Sequence, residues 1–233
     1  MHPLADWPGR PRREPSRRSP TYAVREPLAR WLRAEAEAAA GCRVLDVGCG
    51  DKPYYPFFAS RASEFVGVDV ANPAADLEGT AESLPLPDGG FDVVLCTQVL
   101  EHTDDPARAV RELRRVVAPG GRVLASTHGV QVYHPTPDDL WRWTHAGLER
   151  LFRDNGDWSS LTVTPGAGTA GSVGLLVSIY VDLLAKRARA RRLGGAVVAT
   201  INGVAEALDS RVTSLREPRP GTLFANYHVR AEA

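Results

Sequence analysis

The chain has 233 residues, 43% hydrophobic and 24% charged, with 28 Lys and Arg balancing 28 Asp and Glu. That length buries a full core and suits one domain of α/β type, and zero net charge removes the global electrostatic case for a nucleic-acid partner. The three cysteines, Cys42, Cys49 and Cys96, form neither a CxxC pair nor a metal spacing with histidine, so reduced thiols in a cytoplasmic protein without a metal centre are expected.

Residues 1–20 are rich in proline, arginine and serine and lack an apolar signal region. They read as a disordered tail before a domain over 21–233. Residues 25–40 are good helix formers, with Gly41 as a stop. Arg43–Val47 reads as a strand that breaks into Gly48-Cys49-Gly50. Two glycines one residue apart let backbone come close to a ligand. A short helix is expected over Tyr54–Ser60, then a strand over Phe65–Asp69. Asp69 follows the glycine turn by about 20 residues, where a doubly wound nucleotide-binding sheet places the acid that grips a ribose.

Phe91–Cys96 is the clearest buried strand. Pro106–Val117 carries Ala109, Val110, Leu113, Val116 and Val117 at helical spacing, and Pro119-Gly120-Gly121 ends it. Arg122–Ser126 is a strand, and Thr144 caps a helix to about Phe152, stopped by Asn155-Gly156. Residues 171–192 form a longer helix, apolar first and basic last, and 196–215 another, giving a helical insertion near 171–215. The apolar run Val173–Leu184 is shorter than the ~20 residues a membrane span needs. Thr222–Val229 reads as the final strand.

Strands alternating with helices imply βαβ units and a largely parallel sheet. Right-handed crossovers then gather the strand C-termini on one edge. Asp46–Gly50, Asp69 and Cys96–Gln98 all fall there.

Four segments, VLDVGCG (44–50), GVDV (67–70), TAESLPLPDGGFDVVLCTQVLEH (80–102) and LRRVVAPGGRVLAS (113–126), stand in the order and spacing of a known family. Over about residues 43–153 the chain resembles the class I S-adenosylmethionine-dependent methyltransferases, specifically the type 11 group. The resemblance implies a Rossmann-like, doubly wound, mostly parallel seven-stranded sheet with helices on both faces. It implies S-adenosylmethionine as cofactor. Gly48, Cys49 and Gly50 would wrap its methionyl and ribose part, Asp46 would orient the amino group or the loop, and Asp69, with Val70 beside it, would accept the ribose hydroxyls. Thr80, Ala81 and Glu82 match the adenine segment, Thr97 and Gln98 lie under the methionyl end, and His102 of the Leu100-Glu101-His102 segment closes the pocket. Two departures stand out. Asp51-Lys52-Pro53-Tyr54 follows the glycine turn and should stiffen it, and Thr80 occupies a position that often carries an acid. The implied function is methyl transfer to an oxygen, or a nitrogen, of a small molecule or glycan. The alternative is an inactive methyltransferase-like binding module.

Thr127–His145 is dense in His, Asp, Trp and Arg and follows the strand at the edge where the methyl group should emerge. A neutral histidine takes a hydroxyl proton near pH 7. His134 is the first choice of base and His128 the second. Tyr133 and Trp141 offer faces for stacking, and Arg142 a clamp for a carboxylate or phosphate. The structural alternatives are that Trp141 and Trp143 pack the loop and that Asp138 or Asp139 binds Arg142. The segment His134-Pro135-Thr136-Pro137-Asp138-Asp139-Leu140-Trp141-Arg142 is similar to segments in type 11 members linked to sugar or secondary-metabolite genes. The basic run from Lys186 to Arg192 ends a helix that serves as lid, oligomer contact or peripheral membrane element. A monomer or homodimer without a transmembrane segment is expected.

Overall fold

The computed structural model describes residue 4 and residues 6–135 and 137–233. Seven strands, β1 (Arg43–Val47), β2 (Glu64–Asp69), β3 (Leu77–Glu78), β4 (Phe91–Thr97), β5 (Val117–His128), β6 (Ser160–Pro165) and β7 (Asn226–Glu232), form one sheet in the order β3-β2-β1-β4-β5-β7-β6. All pairings are parallel except those of β7, which runs antiparallel to β5 and β6. The sheet reverses its winding between β1 and β4, and a crevice for ligands opens at such a switch point.

The central strands are apolar on both faces, as parallel strands sandwiched by helices must be. Leu45, Val47, Val94, Cys96, Val123 and Ala125 point to one face and Val44, Val93, Leu95 and Leu124 to the other. The first face is covered by α4 (Pro106–Val116) through Ala109, Val110, Leu113 and Val116, and by α5 (His145–Asp154) through Leu148 and Phe152. The second is covered by α2 (Tyr22–Glu37) through Leu28, Leu32 and Ala36, and by α3 (Tyr55–Phe58) through Phe58. Each such Val, Leu or Phe side chain contributes about 1.5–3 kcal/mol by leaving water. Asp105 caps α4 by accepting from the Arg108 N–H, and Thr144 Oγ1 caps α5 by accepting from the Gly147 N–H. The last strand starts at Asn226 rather than Thr222 and runs to Glu232, because its register is set by pairing with β5 and β6.

The insertion is an antiparallel pair of helices, α6 (Thr169–Arg187) and α7 (Arg191–Arg211), between β6 and β7. Asp209 of α7 accepts from the Ala170 and Gly171 N–H groups, fastening the first turn of α6.

Residues 6–20 of the tail, expected to be disordered, are packed. They carry a short helix, α1 (Arg10–Arg13), and bury Arg13. The Arg13 guanidinium donates to the carbonyls of Trp7, Pro8 and Pro53, and Trp7 Nε1 donates to the Lys52 carbonyl. Further on, Asn202 of α7 donates to the Arg17 and Ser19 carbonyls. Composition registers the low average hydrophobicity of this stretch but not the fit of one Trp and one Arg to unpaired carbonyls.

The turns that end β1 and β4 interlock. Gly48 has φ +66°, and a Cβ there would lie 2.3 Å from Val99 Cγ2. Gly48→Ala should therefore cost on the order of 2–4 kcal/mol from left-handed strain and overpacking. Urea denaturation should show Val99→Ala restoring part of that loss in the double variant; an unchanged midpoint for Gly48→Ala would remove the interlock. For the tail, Arg13→Ala should cost about 1.5–3 kcal/mol, typical of hydrogen bonds from a charged group. Trypsin should then cut after Arg12 faster than in the parent, and equal protection would show that something else orders the tail.

Candidate functional site

Two clusters share the C-terminal edge of the sheet. The first surrounds the glycine turn. The Gly48 and Cys49 N–H groups both donate to the Val68 carbonyl, and the Gly50 N–H donates to Asp69 Oδ2 at 2.7 Å. Asp69 thus shapes the turn with one oxygen and keeps a second for a ligand. Asp46, near the end of β1, is 1% exposed, and among the described residues neither of its carboxylate oxygens has a hydrogen-bond partner. Burial pushes its pKa up to about 7, with Lys52 opposing and Asp69 adding to the rise. An orphaned buried carboxylate is costly and marks a place where a cation or donor is missing.

Lys52 is tied down beside this turn by contacts the sequence does not announce. It takes φ +50°, its ammonium meets Asp76 Oδ2 at 2.7 Å, and Asp76 also accepts from the Gly67 N–H. A Cβ on Gly67 would lie 2.4 Å from Lys52 Cε, so the lysine stem fills the space beside that glycine. The buried Cys49 and Cys96 thiols are pushed up in pKa by burial, Cys49 to about 12, which makes them packing groups.

The other candidates around this cluster divide. Val70 is 53% exposed just beyond Asp69, Ala81 is buried, and Thr80 forms a bridge with Ser83. Glu82 is engaged, its Oε1 accepting from the Asp104 N–H at 2.9 Å. Thr97 ends β4, and Gln98 adopts φ +58° with its amide donating to Ser126 Oγ. A left-handed glutamine is held in a strained conformation by its surroundings, a common trait of functional edges. Its side chain braces β5.

The second cluster joins the Leu100–His102 turn, the end of β5 and the loop before α5. Glu101 is fully buried. Its Oε2 accepts from Thr127 Oγ1 at 2.8 Å, and its Oε1 lies 3.3 Å from His128 Nε2. Its carbonyl accepts from the Leu140 and Trp141 N–H groups. Burial pushes the Glu101 carboxyl up to about 7 and the His128 imidazole down to about 3. His128 Nδ1 is buried without a partner. His134 stacks edge-on against His128 at 4.8 Å between ring centroids and against His102 at 5.2 Å. Burial also lowers the His134 pKa, with Asp139 opposing.

Several expected contacts are corrected here. Arg142 is a loop brace rather than a free clamp. It forks Asp139 at 2.5 and 2.6 Å and donates to the Gln131, Val132 and Trp141 carbonyls. That fork holds Asp139 well below the usual carboxylate range. His102 Nδ1 bonds the Asp138 carbonyl, turning the ring toward the acceptor loop instead of the glycine turn. Trp141 donates from Nε1 to the Thr103 carbonyl and stacks on Trp143, so it pins the loop with part of its face still exposed. Tyr133 is free, 76% exposed. His128, His134 and Asp139 also bring ligand-type atoms within 4.8 Å of one another. The guanidinium seated on Asp139 places a positive charge where a cation would compete for the same oxygens.

The sequence singled out His134 and His128 and named Glu101 only within the Leu100-Glu101-His102 segment, without pairing it to a histidine. Glu101, with Thr127, is the group that distinguishes His128, and an acid flanked by Leu100 and a strand-end turn was the available signal.

The family model described as a methyltransferase domain matches residues 45–125. A ubiquinone biosynthesis O-methyltransferase of Pseudomonas aeruginosa is 33% identical over 127 residues, covering 46% of this chain and 53% of that protein. The uncharacterized methyltransferase YcgJ of Bacillus subtilis is 33% identical over 123 residues, covering 46% of this chain and 48% of that protein. The chain therefore spans about half the length of the curated relatives it matches. The solved YcgJ structure has a TM-score of 0.52, with 20% identity and coverage of 89% and 97%. The [4+2]-cyclase SpnF has a TM-score of 0.54, with 21% identity and coverage of 94% and 85%. At these identities the structural likeness establishes the fold. Residues 45–125 match the methyltransferase-domain family, the curated relatives over that region are named methyltransferases, and the sheet has the fold of the solved structures.

Proposed function

We propose that this protein transfers a methyl group from S-adenosylmethionine to a hydroxyl oxygen of a small molecule or glycan. One observation carries the reading: a buried, unpartnered carboxylate at Asp46 and a buried acid–histidine pair at Glu101 and His128 lie on one sheet edge. The residues at the glycine turn fit the cofactor. The turn is left-handed at Gly48 and Gly50, with space beside Gly50, the Asp46 carboxylate suits the methionyl ammonium, and Asp69 has an oxygen left for the ribose hydroxyls. When bound, the cofactor supplies a methyl group made electrophilic by a sulfonium.

The chain's own contribution is position and proton handling. Glu101 Oε1 lies 3.3 Å from His128 Nε2, and neither that oxygen nor His128 Nδ1 has a hydrogen-bond partner among the described residues. A small shift that lets Oε1 accept from Nε2–H would fix the tautomer and leave the Nδ1 lone pair free. The acceptor hydroxyl gives its proton to that nitrogen, and the ionised Glu101 stabilises the imidazolium that results. Tyr133 and the open part of the Trp141 face supply a stacking surface beside the histidines. The O-methyltransferase relative favours oxygen as the acceptor atom. The cyclase on the same fold shows why the acid–histidine pair, and not the architecture, must carry the argument. The same reading places the protein in the cytoplasm.

Cofactor affinity should depend on pH through Asp46. In the free protein this acid titrates near 7, and an ammonium beside it favours the ionised form, so binding expels a proton below that pH. Calorimetry should find affinity rising with pH and levelling above about 7, and Asp46→Asn should abolish the dependence. A parent protein with flat affinity would remove the Asp46–ammonium contact. Because the folded pKa is raised, the group's contribution to stability falls as pH climbs from the ordinary carboxylate value to about 7. Asp46→Asn should accordingly be more stable than the ligand-free parent at pH 8. Asp69→Ala should weaken binding by about 2–3 kcal/mol.

Turnover tests the other cluster. His128→Ala should lower kcat by about 10²–10⁴-fold with cofactor affinity retained. The parent's kcat should rise with pH as the pair loses its proton. Glu101→Gln should lower kcat and flatten that profile; an unaltered profile would assign Glu101 to packing, and unchanged turnover in His128→Ala would remove the base.

A further inference from the structure

Among the described residues, the helical pair α6–α7 carries two apolar stripes without a partner. On α6, Val173, Val177, Tyr180 and Leu184 repeat at intervals of four, three and four residues and are exposed, Tyr180 by 64% and Leu184 by 65%. On α7, Leu193, Val197, Val204 and Leu208 repeat at four, seven and four and are exposed, Leu193 by 68%. These spacings put each set on one helix face, opposite the buried Gly171, Gly174 and Ser178 of α6 and Gly194, Val198 and Asn202 of α7. Exposed apolar rows of this extent mark an interaction surface.

The charge at the tip says what covers it. Where the two helices meet, Lys186, Arg187, Arg189, Arg191 and Arg192 are all exposed, and Arg18 of the tail lies against Gly195. The acids of the two helices are spent locally: Asp182 pairs with Lys186, Glu206 with Arg17, and Asp209 caps α6. A second copy of this surface therefore offers the basic tip no free carboxylate. An apolar face bordered by a dense cationic end is the signature of a helix that lies in the headgroup layer of an anionic bilayer. The 19-residue α6 is long and apolar enough to cross a membrane, but its packed face, held by α7 and α2, keeps it in the fold.

We propose that α6–α7 docks the protein on the surface of an anionic membrane. The hairpin springs from the catalytic edge, since Pro165 of β6 lies level with Tyr227 and Thr127, one residue from His128. Docking there brings the acceptor loop toward the bilayer surface, where a hydroxyl on an amphiphilic acceptor would be presented. This adds a location to the function proposed above and stands without it.

Co-sedimentation of the full chain with vesicles tests the idea, comparing phosphatidylglycerol–phosphatidylcholine mixtures with phosphatidylcholine alone. Binding should require the anionic lipid and weaken with salt. Arg191→Ser/Arg192→Ser should reduce the partition coefficient roughly tenfold or more, and Leu184→Gln/Leu193→Gln should abolish binding at unchanged ionic strength. Both variants should keep the parent's melting temperature and S-adenosylhomocysteine affinity. Absence of vesicle binding by the parent, or equal binding to neutral vesicles, would overturn the proposal. So would a dimer in sedimentation equilibrium that Leu184→Gln/Leu193→Gln dissociates, which would assign the face to a second copy of the chain.

Discussion

Gly48 and Val99 touch where β1 and β4 end, and the candidate site depends on how closely they approach. The two strands are neighbours at the switch point of the sheet, with Val47 level with Cys96. Their turns leave the sheet in contact, so Asp46 and Gly50 are held close to the segment that carries Gln98 and Glu101. A side chain at position 48 would wedge the turns apart and separate the two clusters. The left-handed glycine is therefore required twice, by backbone conformation and by the neighbour across the crevice.

Around this contact the protein keeps two carboxyl groups out of water, and it manages them differently. Asp46 is left without any hydrogen-bond donor, while Glu101 receives one from Thr127 and faces His128. Both acids titrate near neutrality because burial outweighs their few favourable contacts. Arg142 and Asp139 show the opposite treatment, a nearly complete pairing that fixes the loop's shape and leaves little for a ligand. Polar groups that are fully paired build the site here, and those left half-paired mark where chemistry is expected.

The α/β alternation, the capped helices at Pro106 and Thr144, and the strand ends at Asp46 and Asp69 were legible because they rest on local patterns: apolar runs, a 3.6 period, glycine and proline stops. The mostly parallel seven-stranded sheet followed from a resemblance, and the strands agree with it. What was illegible depends on distant partners. Trp7 and Arg13 order the tail only because Lys52 and Pro53 leave carbonyls open. Asp139 holds Arg142, an alternative the sequence offered, while the Gln131 and Val132 carbonyls that complete the brace lie 11 and 10 positions away. The choice of His128 over His134 turns on Glu101, 27 positions away and brought near by the pairing of β4 with β5.

The tail's other attachment has a consequence for the order of folding. Asn202 donates to the Arg17 and Ser19 carbonyls, closing loops of 185 and 183 residues. Loops of that length close late, since their entropy is recovered only after the intervening sheet has formed. On a ribosome, α7 emerges long after the glycine turn. The segment that clasps Lys52 and Pro53 must wait for most of the domain before its second anchor exists. The brace on the cofactor turn is thus among the last parts of the fold to be secured, although its residues are among the first to be made.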